Sequence, residues 1–366
     1  MKQLWRVTLW CILIACICLC SAEGSVTVTD DLGREVTLEK PAEKIAFEHY
    51  APAEAIKIVG AWDKLVARDG YTTDPEFFPD LDKIPAISPV KPTGKLDLDY
   101  EKIYELKPDL MIIQKQDWNN YQYNDLFKKL EPEIPVVILD FIDPLTQAES
   151  IEKLGKLTGT ETSAQAYASF VRGITSDINA KTSILSDEEK PDVFFKGPAY
   201  KPEQIFTYGN GMKLWANMLN LAGGRNAVDN QSAAWFEVDS EWLIKKPIDI
   251  MVVHNREAMY PDVFGYNAKD QDAAKEKANS LITNLTSNPV FSGNDAVKNQ
   301  KIYLIADPLT GTPRSIIGVA YLAKWFHPDL FNDLNPEEIH QKYLDFIGAN
   351  YDLKNTGLFG YPGESS

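Results

Sequence analysis

From Leu145 to Lys190 the chain has no proline, and Tyr167, Phe170, Val171, Ile174, Ile178 and Leu185 recur through it at helical spacing. That periodicity predicts one long helix over residues 161–185, with charged and polar side chains on its other face. On both sides of it, short apolar runs alternate with helical stretches. Before it, Lys44-Ile45-Ala46-Phe47, Leu65-Val66-Ala67, Leu110-Met111-Ile112-Ile113 and Val136-Val137-Ile138-Leu139 read as strands, and Ala53 to Val59 as a helix closed by Gly60. After it, Asp192-Val193-Phe194-Phe195, Ile250-Met251-Val252-Val253 and Ile302-Tyr303-Leu304-Ile305 read as strands, with helices over Ile316 to Phe326 and Pro336 to Ile347 and an irregular tail after Leu353. Strands alternating with helices predict an α/β fold with parallel sheets. The chain divides into an N-terminal α/β lobe over 23–158, a linker helix within 159–190 and a C-terminal α/β lobe over 191–366.

A repeat supports two lobes. Asp99-Tyr100-Glu101-Lys102-Ile103 leads to Pro108-Asp109-Leu110, and Asp239-Ser240-Glu241-Trp242-Leu243 leads to Pro247 and Asp249-Ile250. In each copy an acid sits in the first turn of a helix, a proline ends that helix and a buried strand follows. Ahead of the first strand, Val26, Val28, Val36 and Leu38 alternate with polar residues around Asp30-Asp31-Leu32-Gly33, a β-hairpin pattern.

All four cysteines, Cys11, Cys16, Cys18 and Cys20, lie in the first twenty of 366 residues. The rest of the chain therefore has no disulfide, thiolate zinc cluster or cysteine nucleophile. The cysteines belong to an apolar run, Leu9 to Cys20, that follows Lys2 and Arg6 and is too short to span a bilayer comfortably. The layout is that of a signal peptide over residues 1–22, with cleavage after Ala22. Leu13-Ile14-Ala15-Cys16 also fits a lipobox in which Cys16 is lipidated, and an uncleaved N-terminal anchor is a third reading. All three put the body outside the cytoplasm, in the periplasm or at the cell surface. There the formal net charge of −16 argues against a nucleic-acid partner.

Ligands of α/β lobes bind beyond the carboxyl ends of the strands. In the first lobe those positions hold Glu48, His49, Tyr50, Arg68, Tyr71, Lys115 and Trp118; in the second they hold Lys196, Tyr200, Tyr208, Trp235, His254, Arg256 and Arg314. The set is aromatic and basic although the whole protein is acidic. Arginine forks bind carboxylates and catecholates, and aromatic faces stack on planar ligands. His49 and His254 each follow a lobe's strand, so they are weak candidates to ligate a metal jointly, with Glu48 or Asp140 as further donors. His327 and His340 read as structural.

The hairpin, the Pro41-Ala42-Glu43-Lys44-Ile45 entry, the Glu101-Lys102-Ile103-Tyr104-Glu105-Leu106-Lys107-Pro108-Asp109-Leu110 phrase and Trp325-Phe326-His327-Pro328-Asp329-Leu330 together resemble the substrate-binding proteins of iron-siderophore, haem and cobalamin ABC importers. The resemblance covers nearly the whole body. It implies two Rossmann-like lobes joined by one rigid helix, with the ligand in the cleft between them. It implies a monomer with no intrinsic cofactor that carries an iron-siderophore, haem or corrinoid chelate to a membrane permease dimer. It also implies that Glu101 and Glu241, one per lobe, meet arginines of the permease. The body is long for that family, with extra residues around Tyr71 to Pro92 and Tyr260 to Leu281.

No G-x-S-x-G, P-loop or H-E-x-x-H motif occurs. The expectation is a binding protein rather than an enzyme. Direct capture of a metal ion by His49 and His254 is the alternative, and a metal-assisted hydrolase outside the cytoplasm is the third.

Overall fold

A computed structural model of the chain describes residues 24–74, 76–91, 95–116, 122–199, 204–228, 231–355 and 357–363. The signal segment with Cys16 and the site candidates Trp118 and Tyr200 lie outside the described residues.

The first lobe begins with a hairpin of β1 (Val26–Thr29) and β2 (Glu35–Leu38), paired antiparallel as the alternation predicts. Its turn is fixed by Asp30, whose carboxylate accepts from the backbone of Leu32 and Arg34 and pairs with the Arg34 guanidinium. A four-stranded parallel sheet follows, built from β3 (Ile45–Glu48), α1 (Tyr50–Ile58), β4 (Leu65–Ala67), α2 (Tyr100–Leu106), β5 (Leu110–Gln114), α3 (Tyr123–Leu130) and β6 (Val136–Leu139). Its strand order is β4-β3-β5-β6. Every residue of β3, β5 and β6 is buried, as expected of a parallel sheet covered on both faces.

Two helices then pack side by side, α4 (Gln147–Thr158) and α5 (Glu161–Thr182). They approach closely: a Cβ on Gly155 would lie 2.3 Å from the Cβ of Ala164, so only glycine fits there. The buried stripe of α5 is Ala164, Tyr167, Ala168, Val171, Ile178 and Thr182, with Phe170 and Ile174 half-buried at its margin. The helix stops at Thr182 rather than residue 185. The Thr182 hydroxyl turns back onto the Ile178 and Leu221 carbonyls, and the chain leaves the helix at Ser183.

The second lobe holds a seven-stranded sheet. Its elements run β7 (Asp192–Gly197), β8 (Phe206–Tyr208), α6 (Lys213–Leu221), β9 (Arg225–Asn226), β10 (Trp235–Glu237), α7 (Ser240–Lys245), β11 (Ile250–Asn255), α8 (Gln271–Thr286), α9 (Pro289–Ser292), α10 (Asp295–Lys298), β12 (Ile302–Ala306), α11 (Ser315–Phe326), α12 (Pro336–Ile347) and β13 (Gly360–Tyr361). Strands β7, β11 and β12 are parallel, while β8, β10 and β13 extend the sheet antiparallel at its edges. The tail is thus partly ordered: β13 pairs with Leu304 and Ile305 of β12, and Tyr361 is buried there.

The repeat is structural. Asp109 accepts from the backbone N–H groups of Glu43 and Lys44 ahead of β3, and its own N–H donates to the Lys44 carbonyl. Asp249 does the same ahead of β7, accepting from Asp192 N–H and donating to the Asp192 carbonyl. Asp99 and Asp239 cap α2 and α7 in the same way, each accepting from the N–H three residues on.

The lobes are joined by more than α5. One buried apolar cluster runs through both. Helix α12 packs back on α1, and α5 also packs against α11, α6 and α1. Arg314, the residue before α11, forms a 2.7 Å ion pair with Glu54 of α1, and the Tyr343 hydroxyl of α12 donates to the other Glu54 oxygen. The two long segments noted in the sequence meet. The Phe77 ring lies 4.8 Å from that of Tyr266 and 5.4 Å from that of Tyr351, whose hydroxyl donates to Asp74.

Candidate functional site

The parallel strands of the first lobe end at Glu48, Ala67, Gln114 and Leu139, those of the second at Gly197, Asn255 and Ala306. Tyr50 connects the two ends. A Cβ on Gly311 of the second lobe would sit 3.3 Å from the Tyr50 hydroxyl, and Asp307 and Arg256 act electrostatically on its phenol. Burial is the main reason that phenol is pushed up to about 12.

His49 sits at the turn between β3 and α1 with φ 88° and ψ 145°, a region almost confined to glycine. The conformation places its ring against Tyr50, 3.9 Å between centroids, and edge-on to Tyr71 at 6.3 Å. Its Nδ1 accepts from the Ala51 N–H at 3.3 Å and so caps α1. Burial pushes the imidazole down to about 3. A neutral ring whose Nδ1 accepts must carry its proton on Nε2. His49 therefore offers an N–H donor rather than a lone pair.

Glu48, just before it, is 3% exposed. Its Oε1 accepts from the Tyr71 hydroxyl at 2.6 Å, and its buried Oε2 has no hydrogen-bond partner among the described residues. Burial raises this carboxyl to about 7, against the Tyr71 hydrogen bond and with help from Asp69.

His254 differs from His49 in that both ring nitrogens are engaged. Tyr208 Oη lies 2.8 Å from Nδ1, and Nε2 lies 3.1 Å from Thr310 Oγ1. The threonine hydroxyl donates to the Asp307 carbonyl, so it accepts from Nε2–H, and the tyrosine donates to Nδ1. Burial, with Arg256 adding, pushes His254 down to about 3. Tyr208 also stacks on Trp215, 4.8 Å between rings. Asp140 is enclosed too, accepting from Gln114 and from the Ile142 and Asp143 backbone, and burial raises it to about 6. Among the described residues no three His, Cys, Asp or Glu side chains are placed to hold a metal ion. A site shared by His49 and His254 would need a nitrogen that His254 does not have to spare.

The three arginines read from strand ends divide. Arg314 is buried and held by Glu54; burial opposes its charge, but Glu54 together with Tyr266 and Tyr343 keeps the guanidinium well above its ordinary value. Arg68 binds the carbonyls of Asp69, Leu81 and Ile84, which stitches the loop that follows β4. Arg256 is exposed and makes no side-chain hydrogen bond or ion pair among the described residues. Lys115 and Lys196 are half-buried and likewise uncommitted. Burial lowers Lys196, the mark of a cation that has lost water without gaining a counter-ion. Trp235 forms an aromatic platform with Phe206, its ring stacked at 4.3 Å.

His327 and His340 are structural in the fold as well: one bonds the Gly223 carbonyl, the other the Tyr266 hydroxyl.

These features define a two-lobed α/β binding protein, and a family model described as periplasmic binding protein matches residues 45–309. The chain belongs to that family. It is 26% identical over 314 residues to an uncharacterized ABC transporter substrate-binding lipoprotein of Bacillus subtilis, YvrC, covering 84% of this chain and 87% of that one. It is 22% identical over 357 residues to the molybdate-binding protein MolA of Haemophilus influenzae, covering 91% of each. Among solved structures, the TroA-like periplasmic binding protein FepB of Veillonella parvula superposes with a TM-score of 0.78 at 21% identity, over 93% of this chain and 100% of that one.

Proposed function

We propose that this protein is the extracytoplasmic substrate-binding component of an ABC importer, which takes up a metal-bearing, anionic cargo between its lobes and presents it to a membrane permease. Cargo of this kind includes an iron-siderophore, haem or corrinoid chelate, and the molybdate-binding relative adds a small oxyanion to the range. The observation that carries the reading is the set of uncommitted cations at strand ends in an otherwise acidic chain: Lys115 from one lobe, Lys196 and Arg256 from the other. Tyr50, Tyr71 and Trp235 are the aromatic surface of the proposed site. Tyr208 and His254 hold each other by a hydrogen bond. The chain itself catalyses nothing in this reading; ATP hydrolysis belongs to a separate subunit of the importer.

Docking is assigned to α2 and α7. Glu101 and Glu241 are both exposed in the first turn of capped helices, and exposed apolar side chains lie close by, Tyr104 on one and Trp242 and Ile244 on the other.

The test is a titration of the purified protein, followed by tryptophan fluorescence, against ferric catecholate, hydroxamate and citrate complexes, haem, cobalamin, molybdate and bare divalent cations. Saturable quenching by a complete chelate or an oxyanion supports the reading. A response confined to bare cations would replace it with direct metal capture.

A further inference from the structure

The first turn of α1 brings together three features that the fold itself does not require. The helix starts with no acidic side chain in its first turn, so its positive end is not neutralised from within. His49 accepts strained backbone dihedrals to stand at that end with Nε2–H outward from its capping bond. Beside it, the Glu48 carboxyl is buried with one oxygen satisfied by Tyr71 and the other without a partner.

A buried carboxyl needs a cation or several donors to stay ionised. Glu48 has neither: among the described residues it forms no ion pair, and the charged group that acts on it is Asp69, a second carboxylate. Asp69 in turn is tied to Thr72 through its N–H and hydroxyl and offers Glu48 nothing. The geometry thus favours the proton on Glu48, on the oxygen that Tyr71 does not occupy. In that form Oε2 is an O–H donor, adjacent in sequence to the Nε2–H donor of His49 and to a helix N-terminus.

We infer that Glu48, as a neutral acid, and His49, through Nε2–H, are paired hydrogen-bond donors to an anionic oxygen of the cargo. The inference rests on the proposed binding role and narrows it. The cargo would be an oxyanion or a chelate bearing carboxylate or catecholate oxygens at its edge, rather than a bare cation or a ligand that lacks an anionic oxygen there. The strain at His49 and the unsatisfied Glu48 oxygen then have a common cause, since both are relieved or used only when an acceptor arrives.

The experiment compares wild type with Glu48→Gln, Glu48→Ala and His49→Ala at pH 6, using isothermal titration with sodium molybdate, ferric citrate and a ferric tris-catecholate. Cyanocobalamin and zinc chloride serve as contrasting probes. Glutamine keeps a donor at the Oε2 position, so Glu48→Gln should bind within about threefold of wild type, while Glu48→Ala and His49→Ala weaken the same probe about tenfold or more. Circular dichroism on each variant separates lost binding from lost folding, and Glu48→Gln, nearly isosteric, carries the decision if an alanine variant unfolds. The inference is overturned if Glu48→Gln binds as poorly as Glu48→Ala, because the carboxylate would then be needed as an anion. It is also overturned if no variant differs from wild type, or if wild type takes only cobalamin or zinc. If wild type takes only cobalamin the binding role stands; if it takes only zinc, direct metal capture replaces it. If wild type takes none of the five probes the inference falls, and the binding role falls with it if haem and a ferric hydroxamate fail as well.

Discussion

Glu54 on α1 and Arg314 ahead of α11 meet at 2.7 Å in a buried ion pair that ties the first lobe to the second. The other Glu54 oxygen accepts from Tyr343, and the Phe77 and Tyr266 rings, 4.8 Å from each other, lie 5.0 and 5.2 Å from the guanidinium. Within the cluster the Arg314 Nε donates to Thr312 and one terminal nitrogen to Glu54. Removing one member leaves a buried charge, which costs about 3 to 5 kcal/mol. Arg314→Met should therefore lower the melting temperature sharply, and the double variant Glu54→Met/Arg314→Met should recover much of the loss. Scanning calorimetry on the three proteins checks this; a double variant no better than the single one would mean that the pair's charges are not what joins the lobes.

The same pair, with α12 folded back on α1 and Phe77 packed on Tyr266, makes closure around cargo a small motion. Scattering curves with and without bound cargo should give nearly the same radius of gyration. A compaction of several ångströms would require these buried contacts to break and would contradict the fold as described.

The arginines predict different phenotypes. Arg256 is exposed and uncommitted, so Arg256→Ala should weaken binding of an anionic cargo about tenfold to a hundredfold, with little change in melting temperature. Arg68 holds three loop carbonyls, so Arg68→Ala should lower the melting temperature and affect binding only through the loop. Parallel thermal and binding measurements tell the two apart; equal effects of both variants on binding with no loss of stability would return Arg68 to the site.

That division marks how far the sequence could be read. Strand ends were legible because apolar runs and the Pro-Asp entries at Asp109 and Asp249 fix where each strand starts and stops. The position of Arg314 beyond β12 was legible for the same reason, but its partner lies 260 residues away and no local pattern announces it. His254 is alike: its strand end is readable, while Tyr208 and Thr310, which fill both nitrogens, come from the edge strand β8 and the loop after β12. Glu48 does carry a signal, a carboxylate closing the buried run Ile45-Ala46-Phe47, but nothing local in the sequence shows that Tyr71 takes one of its oxygens and leaves the other buried without a hydrogen bond among the described residues. The edge strands β8, β10 and β13 are two or three residues long, too short for periodicity to register.

Stability should depend on pH from both sides. His49 and His254 are held near 3 in the fold against an ordinary value of 6.5, so below 6.5 the unfolded chain binds more protons than the folded one. Their contribution is complete above pH 6.5 and is lost as pH falls toward 3. Glu48 has the opposite sign: raised from 4.5 to about 7, its contribution is present below pH 4.5 and is lost as pH rises through 7. Urea denaturation at a series of pH values should show His49→Gln flattening the acid limb and Glu48→Gln flattening the neutral one. If Glu48→Gln leaves the slope between pH 5 and 8 unchanged, Glu48 is ionised in the fold.

Docking makes the last prediction. Glu101 and Glu241 occupy one place in the two repeats, in helices fixed by the same aspartate cap and led into strands through Asp109 and Asp249, which make the same backbone bonds. Both side chains are exposed, and each sits ahead of its strand, β5 or β11, rather than beyond the strand's carboxyl end where the candidate site lies. A carboxylate in a first helical turn is favoured by the dipole by only about 0.3 to 1 kcal/mol, so neither residue is needed for folding. Paired on the two lobes, they would set the orientation of the protein over a two-fold permease, where rim charges govern encounter and register more than intrinsic affinity. The double variant Glu101→Ala/Glu241→Ala should keep its melting temperature and its affinity for cargo while uptake by cells falls to background. Trp242→Ala and Ile244→Ala, which trim the exposed apolar surface beside Glu241, should reduce uptake further in a single-glutamate background. Normal transport by the double glutamate variant would remove the docking role; loss of cargo binding would move these residues into the site or the fold.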